Sequence, residues 1–327
     1  MALKFGVSLP QGAAAEFAKF HDPMEAYEAM IRVAQTAEEV GFDAVWLTEL
    51  LWTEPSQAFF FECWTTTAAL ARETKRVRIG QTVTTNGLRN PALLAKMAST
   101  VDVMSHGRLR LGIGSGAAGI GPQFRAYGYD YPDTAIRQGQ LGEAVQILLS
   151  MWTQEEATFE GKYYQVHGAI NQPKGVQRPH IPLLIGGGGE QVTLKLVAHY
   201  GDACNVGGDP ATITHKFAVL RQHCEAIGRD YESIQRTVST MCCIAETDEQ
   251  ARAKLPPALL AMSDKFSPEQ RQAFEGMMKH SLIGSPDTIR QRLAALEDVG
   301  VQEVRLTFLQ DLLDLEALRF FARELIA

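Results

Sequence analysis

Short apolar runs rich in β-branched residues alternate with longer stretches of helical periodicity along nearly the whole chain. A strand-length run followed by a helix-length amphipathic stretch is typical of a βα unit, and successive units pair their strands in parallel. Strands are predicted at residues 4–9, 43–47, 76–84, 108–113, 182–185, 202–206, 236–246 and 301–308. Helices are predicted at residues 24–40, 56–73, 91–103, 134–152, 190–200, 213–227 and 285–299.

Eight successive units favour a closed (β/α)8 barrel of the TIM type, because no break in composition divides the 327 residues into halves. The alternative is a pair of Rossmann-like halves. We therefore expect one barrel domain over residues 1–327. Two segments depart from the repeat and are interpreted as insertions on barrel loops. Residues 155–180 look like an extended hairpin, and residues 247–280 are charged and helical, which indicates a lid or a dimer element.

Composition narrows the class of partner. A formal net charge of −7 argues against a nucleic-acid ligand, since affinity for the phosphate backbone comes from clustered Lys and Arg. We expect a small-molecule substrate instead. No apolar run approaches the ~20 residues that a membrane span requires, so a soluble cytoplasmic protein without a membrane partner is predicted. Five scattered cysteines fit a reducing compartment, and isolated histidines argue against a metal site.

A run of four glycines, residues 186–189, follows the fifth predicted strand and precedes a helix. Glycine lets the backbone approach an anion closely, and a helix start offers free N–H groups. We predict a phosphate site on the backbone of Gly187, Gly188 and Gly189, extending to Gln191. The Glu190 carboxylate would repel a phosphate unless it points away. The alternative is a tight turn that binds nothing.

Two further strand ends carry groups that suit a flat ring. The loop after the fourth strand, residues 112–121, is rich in glycine and contains Ser115 and Gly116. As a dinucleotide fingerprint it is weak, and a mobile loop is the alternative. After the third strand, the hydroxyl and amide groups of Thr85 and Asn86 can bond the carbonyls and nitrogens of a flavin ring. The threonines alternatively reflect strand propensity alone.

Glu49 is the leading candidate for an acid, because it lies just past the second strand beside Leu50, Leu51 and Trp52. An apolar neighbourhood raises the pKa of a carboxyl group towards values useful in proton transfer. The alternative is a surface salt bridge.

These places, in this order, resemble the luciferase-like flavin and deazaflavin oxidoreductases, a superfamily that includes enzymes using coenzyme F420. The most specific matching segments are residues 89–97, 105–109, 125–128, 185–191 and 202–206. The Gly-Gly-Gly-Gly-Glu form looks most like the deazaflavin branch. The resemblance implies a barrel, a cofactor across the carboxyl ends of the strands, a non-prolyl cis peptide at Thr82–Val83, and a homodimer.

The chain departs from the family pattern at two catalytic positions. Leu50 stands where family members commonly have the catalytic imidazole, and Ala117 stands where the sugar-phosphate dehydrogenase branch has a glutamate. Both losses argue against alcohol oxidation by a side-chain base. We therefore expect F420-dependent hydride transfer to or from a small organic substrate, with reduction of an alkene or imine favoured. The alternatives are an FMN-dependent monooxygenase that uses O2 and a non-catalytic cofactor-binding barrel.

The resemblance also implies roles for individual residues. Glu49 would bond the edge of the ring or relay a proton. The expected ring contacts are Thr82, Val83, Thr85 and Asn86, the phosphoester contacts Ser115 and Gly116, and the substrate wall Trp52, Phe59, Phe60 and His21.

Overall fold

The computed structural model describes residues 3–13, 16–53, 58–117, 119–257, 259 and 267–326. Eight of its strands pair in parallel, and the first and last in the order are joined, so the sheet closes into a barrel. These strands are β1 (Lys4–Ser8), β2 (Ala44–Leu47), β3 (Arg78–Gln81), β5 (Leu109–Gly114), β8 (Leu183–Gly186), β9 (Ala203–Val206), β10 (Gln235–Ile244) and β12 (Glu303–Phe308). Going round the barrel, the order is β10, β12, β1, β2, β3, β5, β8 and β9, then β10 again. The predicted TIM barrel is confirmed.

Helices surround the barrel and pack their apolar faces on the outward-facing strand residues. Several begin with an acidic N-cap followed by proline or another good starter, as at Asp22 and Asp209, whose side chains accept from backbone N–H groups of the first turn. Their bounds are α1 (Pro23–Glu39), α2 (Cys63–Glu73), α3 (Pro91–Met104), α4 (Gly121–Ala126), α5 (Thr134–Thr153), α6 (Thr193–Tyr200), α7 (Pro210–Ala226), α8 (Asp248–Ala253), α9 (Pro268–His280), α10 (Pro286–Asp298) and α11 (Glu316–Leu325). No helix among the described residues is long and apolar enough to cross a membrane.

The centre of the barrel is filled by one large side chain between glycines. A Cβ atom added to Gly6 would lie 2.4 Å from Trp46 Nε1, and one added to Gly80 would lie 2.3 Å from Trp46 Cζ3. Residues in mutual contact form the open end above this indole. Val83 lies against Gly114 and Gly186, Ser239 is hydrogen-bonded to Asn205, and Ser8 lies beside Thr307. We call that ring of residues the barrel mouth: Ser8, Val83, Gly114, Gly186, Asn205, Ser239 and Thr307.

Three predicted elements need correction. The strand predicted at residues 76–84 is interrupted at a cis peptide between Thr82 and Val83, and pairing resumes in the short β4 (Thr84–Thr85). The helix predicted from residue 56 begins at Cys63, because the Glu62 side chain accepts from the N–H groups of the first turn; residues 54–57 lie outside the described residues. The helix predicted from residue 190 begins at Thr193.

Both insertions are present where they were predicted. The first forms an antiparallel hairpin of β6 (Glu156–Glu160) and β7 (Gln165–Ile170). The second contains α8 and α9, and residues 258 and 260–266 within it lie outside the described residues. The sequence patterns missed β11 (Leu282–Gly284), which pairs with β10, and the helices α4 and α11. These elements are short or lack a following strand, so the βα repeat does not mark them.

Candidate active site

The predicted ring-binding segments meet at the barrel mouth. A Cβ atom added to Gly114 would lie 2.7 Å from Val83 Cγ2, and one added to Gly186 would lie 2.5 Å from Val83 Cγ1. The ends of β3, β5 and β8 are therefore in direct contact, and only glycine leaves room for the valine there. The Thr82–Val83 peptide bond is cis, which confirms the expectation from the family resemblance.

Glu49 lies beneath this segment as a hydrogen-bond acceptor. Its side chain is only 2% exposed. One oxygen accepts from Thr84 Oγ1 at 2.9 Å and Thr85 N at 2.6 Å, and the other accepts from Arg89 Nη1 at 2.6 Å. Burial raises the pKa of Glu49, against the lowering effect of the Arg89 charge and of the bonds from Thr85 and Thr84. The carboxyl group is thus held by three donors, all from the segment between β3 and α3.

Arg89 joins that carboxylate to a second one. Its other guanidinium nitrogen bonds Glu62 Oε1 at 2.6 Å. Glu62 in turn caps the start of α2 through Trp64 N and Thr65 N. No short-range pattern marks Arg89 as the partner of Glu49, because the two are 40 positions apart.

Asn86 and the strand-four loop line the next part of the mouth. Asn86 Nδ2 donates to Tyr164 Oη on the β6–β7 hairpin at 3.2 Å, while Asn86 Oδ1 and Thr82 Oγ1 are buried without a partner among the described residues. Gly116 has a positive φ of 86° beside Tyr131, whose hydroxyl donates to Ala117 O at 2.6 Å. The hairpin therefore contacts the loop after β3 at Asn86, and Tyr131 contacts the loop after β5 at Ala117.

The glycine run forms an exposed loop between β8 and α6. Gly187 N donates to Asn205 O at 3.2 Å, so this N–H is already used by the sheet. Gly188 lies next to Lys216, and Gly189 lies next to Thr193 at the start of α6. The helix start carries no side-chain cap. Gly188 and Gly189 are thus the better placed part of the run, whereas Gln191 is exposed.

The Glu190 side chain contacts two residues of α7. Its carboxylate accepts from Lys216 Nζ at 2.6 Å and contacts His215 Nε2 at 3.1 Å on α7. The hydrogen bond from Lys216 lowers the pKa of Glu190. The positive charge of Lys216 therefore reduces the repulsion that this carboxylate would exert on a phosphate.

A cavity of about 400 Å³ opens from the mouth on the side opposite β3. Its lining combines hydroxyl groups of β10 and β12 with thioether and imidazole groups: Asp209, Thr212, Ser239, Thr240, Met241, Met277, His280 and Thr307. Ser239 Oγ donates to Asn205 Oδ1 at 2.7 Å, which ties this wall to β9. A separate cavity of about 890 Å³ lies beside Glu49 and Arg89 and reaches Tyr164.

The predicted substrate-wall residues are dispersed. Trp52 stacks on Tyr127 with ring centroids 6.1 Å apart. Phe59 and Phe60 are half-buried, and His21 is exposed just before α1. Their contact with a substrate stays a prediction.

Comparison with known families identifies the family of this barrel. Residues 3–303 match the family model described as luciferase-like monooxygenase. The chain belongs to the luciferase-like monooxygenase family. The family and the oxidoreductase class expected from the sequence are thereby confirmed.

Two relatives of this luciferase-like chain carry names that specify different cofactors. It is 34% identical over 229 residues to an F420-dependent glucose-6-phosphate dehydrogenase of Kineococcus radiotolerans, a match that covers 67% of the chain and 64% of that relative. It is 27% identical over 305 residues to an FMNH2-dependent dimethylsulfone monooxygenase of Pseudomonas fluorescens, covering 85% and 81%. The chain thus matches slightly less than two thirds of the dehydrogenase's length.

Solved structures show the same luciferase-like fold. An F420-dependent secondary alcohol dehydrogenase in complex with an F420-acetone adduct superposes with a TM-score of 0.78 at 21% identity, over 100% of this chain and 99% of that one. EDTA monooxygenase from Chelativorans sp. BNC1 gives 0.82 at 16% identity, over 100% and 93%. A flavin or deazaflavin is therefore the cofactor type of the family, and the mouth fits such a group, because it offers the orphaned Asn86 Oδ1 and a floor that only glycines keep open.

Proposed function

We propose that this luciferase-like chain is a coenzyme F420-dependent oxidoreductase that transfers a hydride to or from a small organic substrate. The contact of Val83 with Gly114 and Gly186 carries the proposal, because it creates a flat apolar floor at the mouth of a closed barrel. The higher identity to the F420-dependent dehydrogenase supports a deazaflavin over FMN.

When bound, the deazaflavin supplies a ring carbon that gives or takes a hydride, and the protein supplies orientation and exclusion of water. We assign ring contacts to Thr82 and Val83 and hydrogen bonds to Asn86, whose Oδ1 has no other described partner. Ser115 and Gly116 would contact the phosphoester region. The phosphate would be held by the backbone N–H groups of Gly188 and Gly189, with Gln191 beyond them. Gly187 has no side chain to obstruct the phosphate, but its N–H already donates to Asn205 O.

Glu49 has a supporting role in this proposal. Since its oxygens accept from Thr84, Thr85 and Arg89, it holds the segment that follows Val83 in place. Proton transfer to or from the substrate then needs another group. His280 in the 400 Å³ cavity is a side chain that can fill that role.

The lining of that cavity indicates the substrate class. Among the described residues that line it, Asp209 and His280 are the ionisable ones, beside two methionines and several hydroxyl groups. A phosphate monoester needs Arg, Lys or an array of N–H donors, so this lining fits an uncharged substrate better than a sugar phosphate. Reduction of an activated alkene or imine agrees with it, because neither requires the side-chain base that Leu50 and Ala117 replace.

An FMN-dependent monooxygenase is the second candidate, since the dimethylsulfone monooxygenase matches a larger share of the chain. The two are separated by titrating F420 and FMN against the intrinsic tryptophan fluorescence, then supplying each reduced cofactor with a panel of alkenes and imines. We expect F420 to bind and its reduced form to be oxidised only when substrate is present. A tight FMN complex without F420 affinity, or peroxide and hydroxylated product from reduced FMN and O2, would overturn the preference.

The phosphate assignment has its own test. In Gly189→Asp, a carboxylate at the exposed loop should weaken FMN binding at least tenfold, about 1.4 kcal/mol, by repulsion of the phosphate. Riboflavin, which lacks the phosphate, should bind as it does to the unaltered chain. Gln291→Asp places the same charge at an exposed position of α10, where the backbone is helical, and serves as the control. Equal weakening of FMN and riboflavin would contradict the assignment.

A homodimer and a cytoplasmic location stay part of the proposal. Size-exclusion chromatography with light scattering measures the first.

A further inference from the structure

The interior of the barrel holds a cation without a full counter-charge. Arg305, on β12, is in register with Gly6 of β1 and Ser239 of β10, and it lies two positions before Thr307 of the mouth. Its Nη1 donates to the carbonyl oxygen of Thr82 at 3.2 Å, so the guanidinium reaches across the barrel to the end of β3. Its Nε is buried and has no partner among the described residues.

The carboxylate that interacts electrostatically with Arg305 belongs to Glu303, whose Oε2 is already engaged and whose Oε1 is buried without a partner among the described residues. Glu303 lies two residues earlier on the same face of β12, and one of its oxygens accepts from Arg110 at 2.5 Å and from Gln235 at 3.0 Å. Arg110, Arg305 and Arg78 all interact electrostatically with Glu303, so no carboxylate is paired with Arg305 alone. Burial lowers the pKa of Arg305 to about 9, against the raising effect of Glu303, so the group is charged at neutral pH.

A buried, incompletely paired cation is costly unless the function uses it. Addition of a hydride, two electrons and one proton, makes any acceptor ring more negative by one unit, while the donor loses the same hydride and becomes more positive by one. A cation below the mouth therefore favours the reduced form of a ring bound there, and charge near a flavin ring is one of the means by which a protein sets its potential.

We propose that Arg305 stabilises the reduced form of the cofactor bound at the mouth and so raises its reduction potential. The inference rests on the proposed function only in requiring that a flavin or deazaflavin binds at the mouth. The Arg305 guanidinium would act on the bound ring through its positive charge, from below the floor of the site. The sequence does not reveal it, because Arg305 interrupts an otherwise ordinary strand pattern and its partners come from β1, β3 and β10.

The test compares Arg305→Met, which removes the charge, with Arg305→Lys, which keeps it while changing the hydrogen-bond geometry. Dissociation constants of oxidised and reduced F420 are measured for each variant under anaerobic conditions. In Arg305→Met we expect the preference for reduced over oxidised cofactor to fall at least tenfold, a shift of about 30 mV to lower potential for a two-electron couple. Arg305→Lys should retain most of the preference.

Arg32→Met is the matched control, because it removes an exposed cation from α1, on the outside of the barrel. We expect no change in its ratio of constants. An unchanged ratio in Arg305→Met, or equal shifts in the Met and Lys variants, would refute the role of the charge. Failure of the unaltered protein to bind either form would instead refute the proposed function. If Arg305→Met does not fold, a shift in Arg305→Gln of the same sign decides the matter, and no shift there refutes the proposal.

Discussion

At the scale of single residues, the shape of the candidate site depends on glycines, which have no side chain, as much as on the side chains around them. Gly114 and Gly186 have no side chain where the methyl groups of Val83 lie, and Gly6 and Gly80 have none where the Trp46 indole lies. A β-branched valine has few rotamers with which to avoid a clash. The shape of the floor is therefore set by the choice of glycine at these positions.

Gly186→Ala tests this directly. The added Cβ would lie 2.5 Å from Val83 Cγ1, closer than two carbon atoms can approach, so the floor must shift. We expect cofactor affinity to fall at least tenfold and the free energy of unfolding to fall by about 1–3 kcal/mol, as for other overpacked sites. Fluorescence titration and urea unfolding measure the two. Gly207→Ala, in open space just beyond β9, should change neither; unaltered cofactor affinity in Gly186→Ala would disprove the tight fit.

At the scale of elements, one ion-pair network fastens three of them together. Arg89, at 17% side-chain exposure, bridges Glu49 after β2 and Glu62 at the start of α2, and it lies directly before α3. The resemblance includes Arg89 as part of a motif, yet neither helix periodicity nor strand alternation indicates that its charge is needed at Glu49. That need arises only when β2 and β3 become neighbours in the barrel.

Arg89→Met leaves the buried Glu49 carboxylate without its cation. Removing one partner of a buried pair costs about 3–5 kcal/mol, so we expect a loss of that size in the free energy of unfolding. Arg319→Met removes an arginine from an exposed pair with Glu316 and should cost less than about 1 kcal/mol. Urea unfolding followed by circular dichroism measures both. Similar losses in the two variants would show that the network does not stabilise the fold.

At the scale of the whole molecule, the mouth gathers residues from strands that are distant in the chain. Ser8 and Thr307, whose hydroxyl oxygens are 3.2 Å apart, are separated by 299 positions, and Val83 meets Gly186 across about a hundred. A ligand bound there contacts strands from both halves of the chain, so it should stabilise the closed barrel as a unit.

Cofactor binding should consequently raise the global stability. A ligand that binds only the folded state adds about 2.7 kcal/mol at a concentration of 100 times its dissociation constant. We expect that increase for F420 in urea unfolding of the unaltered chain and a much smaller one for Gly186→Ala at the same concentration. Equal stabilisation of both would indicate that F420 binds away from the mouth.

The sequence by itself determined the architecture, because eight βα periods are a local pattern and parallel strands joined by helices have few ways to close. It also marked the loops that hold the site, since glycine and polar groups at strand ends are visible residue by residue. It did not determine that Glu49 accepts from Thr84, Thr85 and Arg89, that Gly187 donates its N–H to Asn205, or that Arg305 reaches the carbonyl oxygen of Thr82. Those facts depend on contacts between residues far apart in the chain, which only the closed barrel brings within hydrogen-bonding distance.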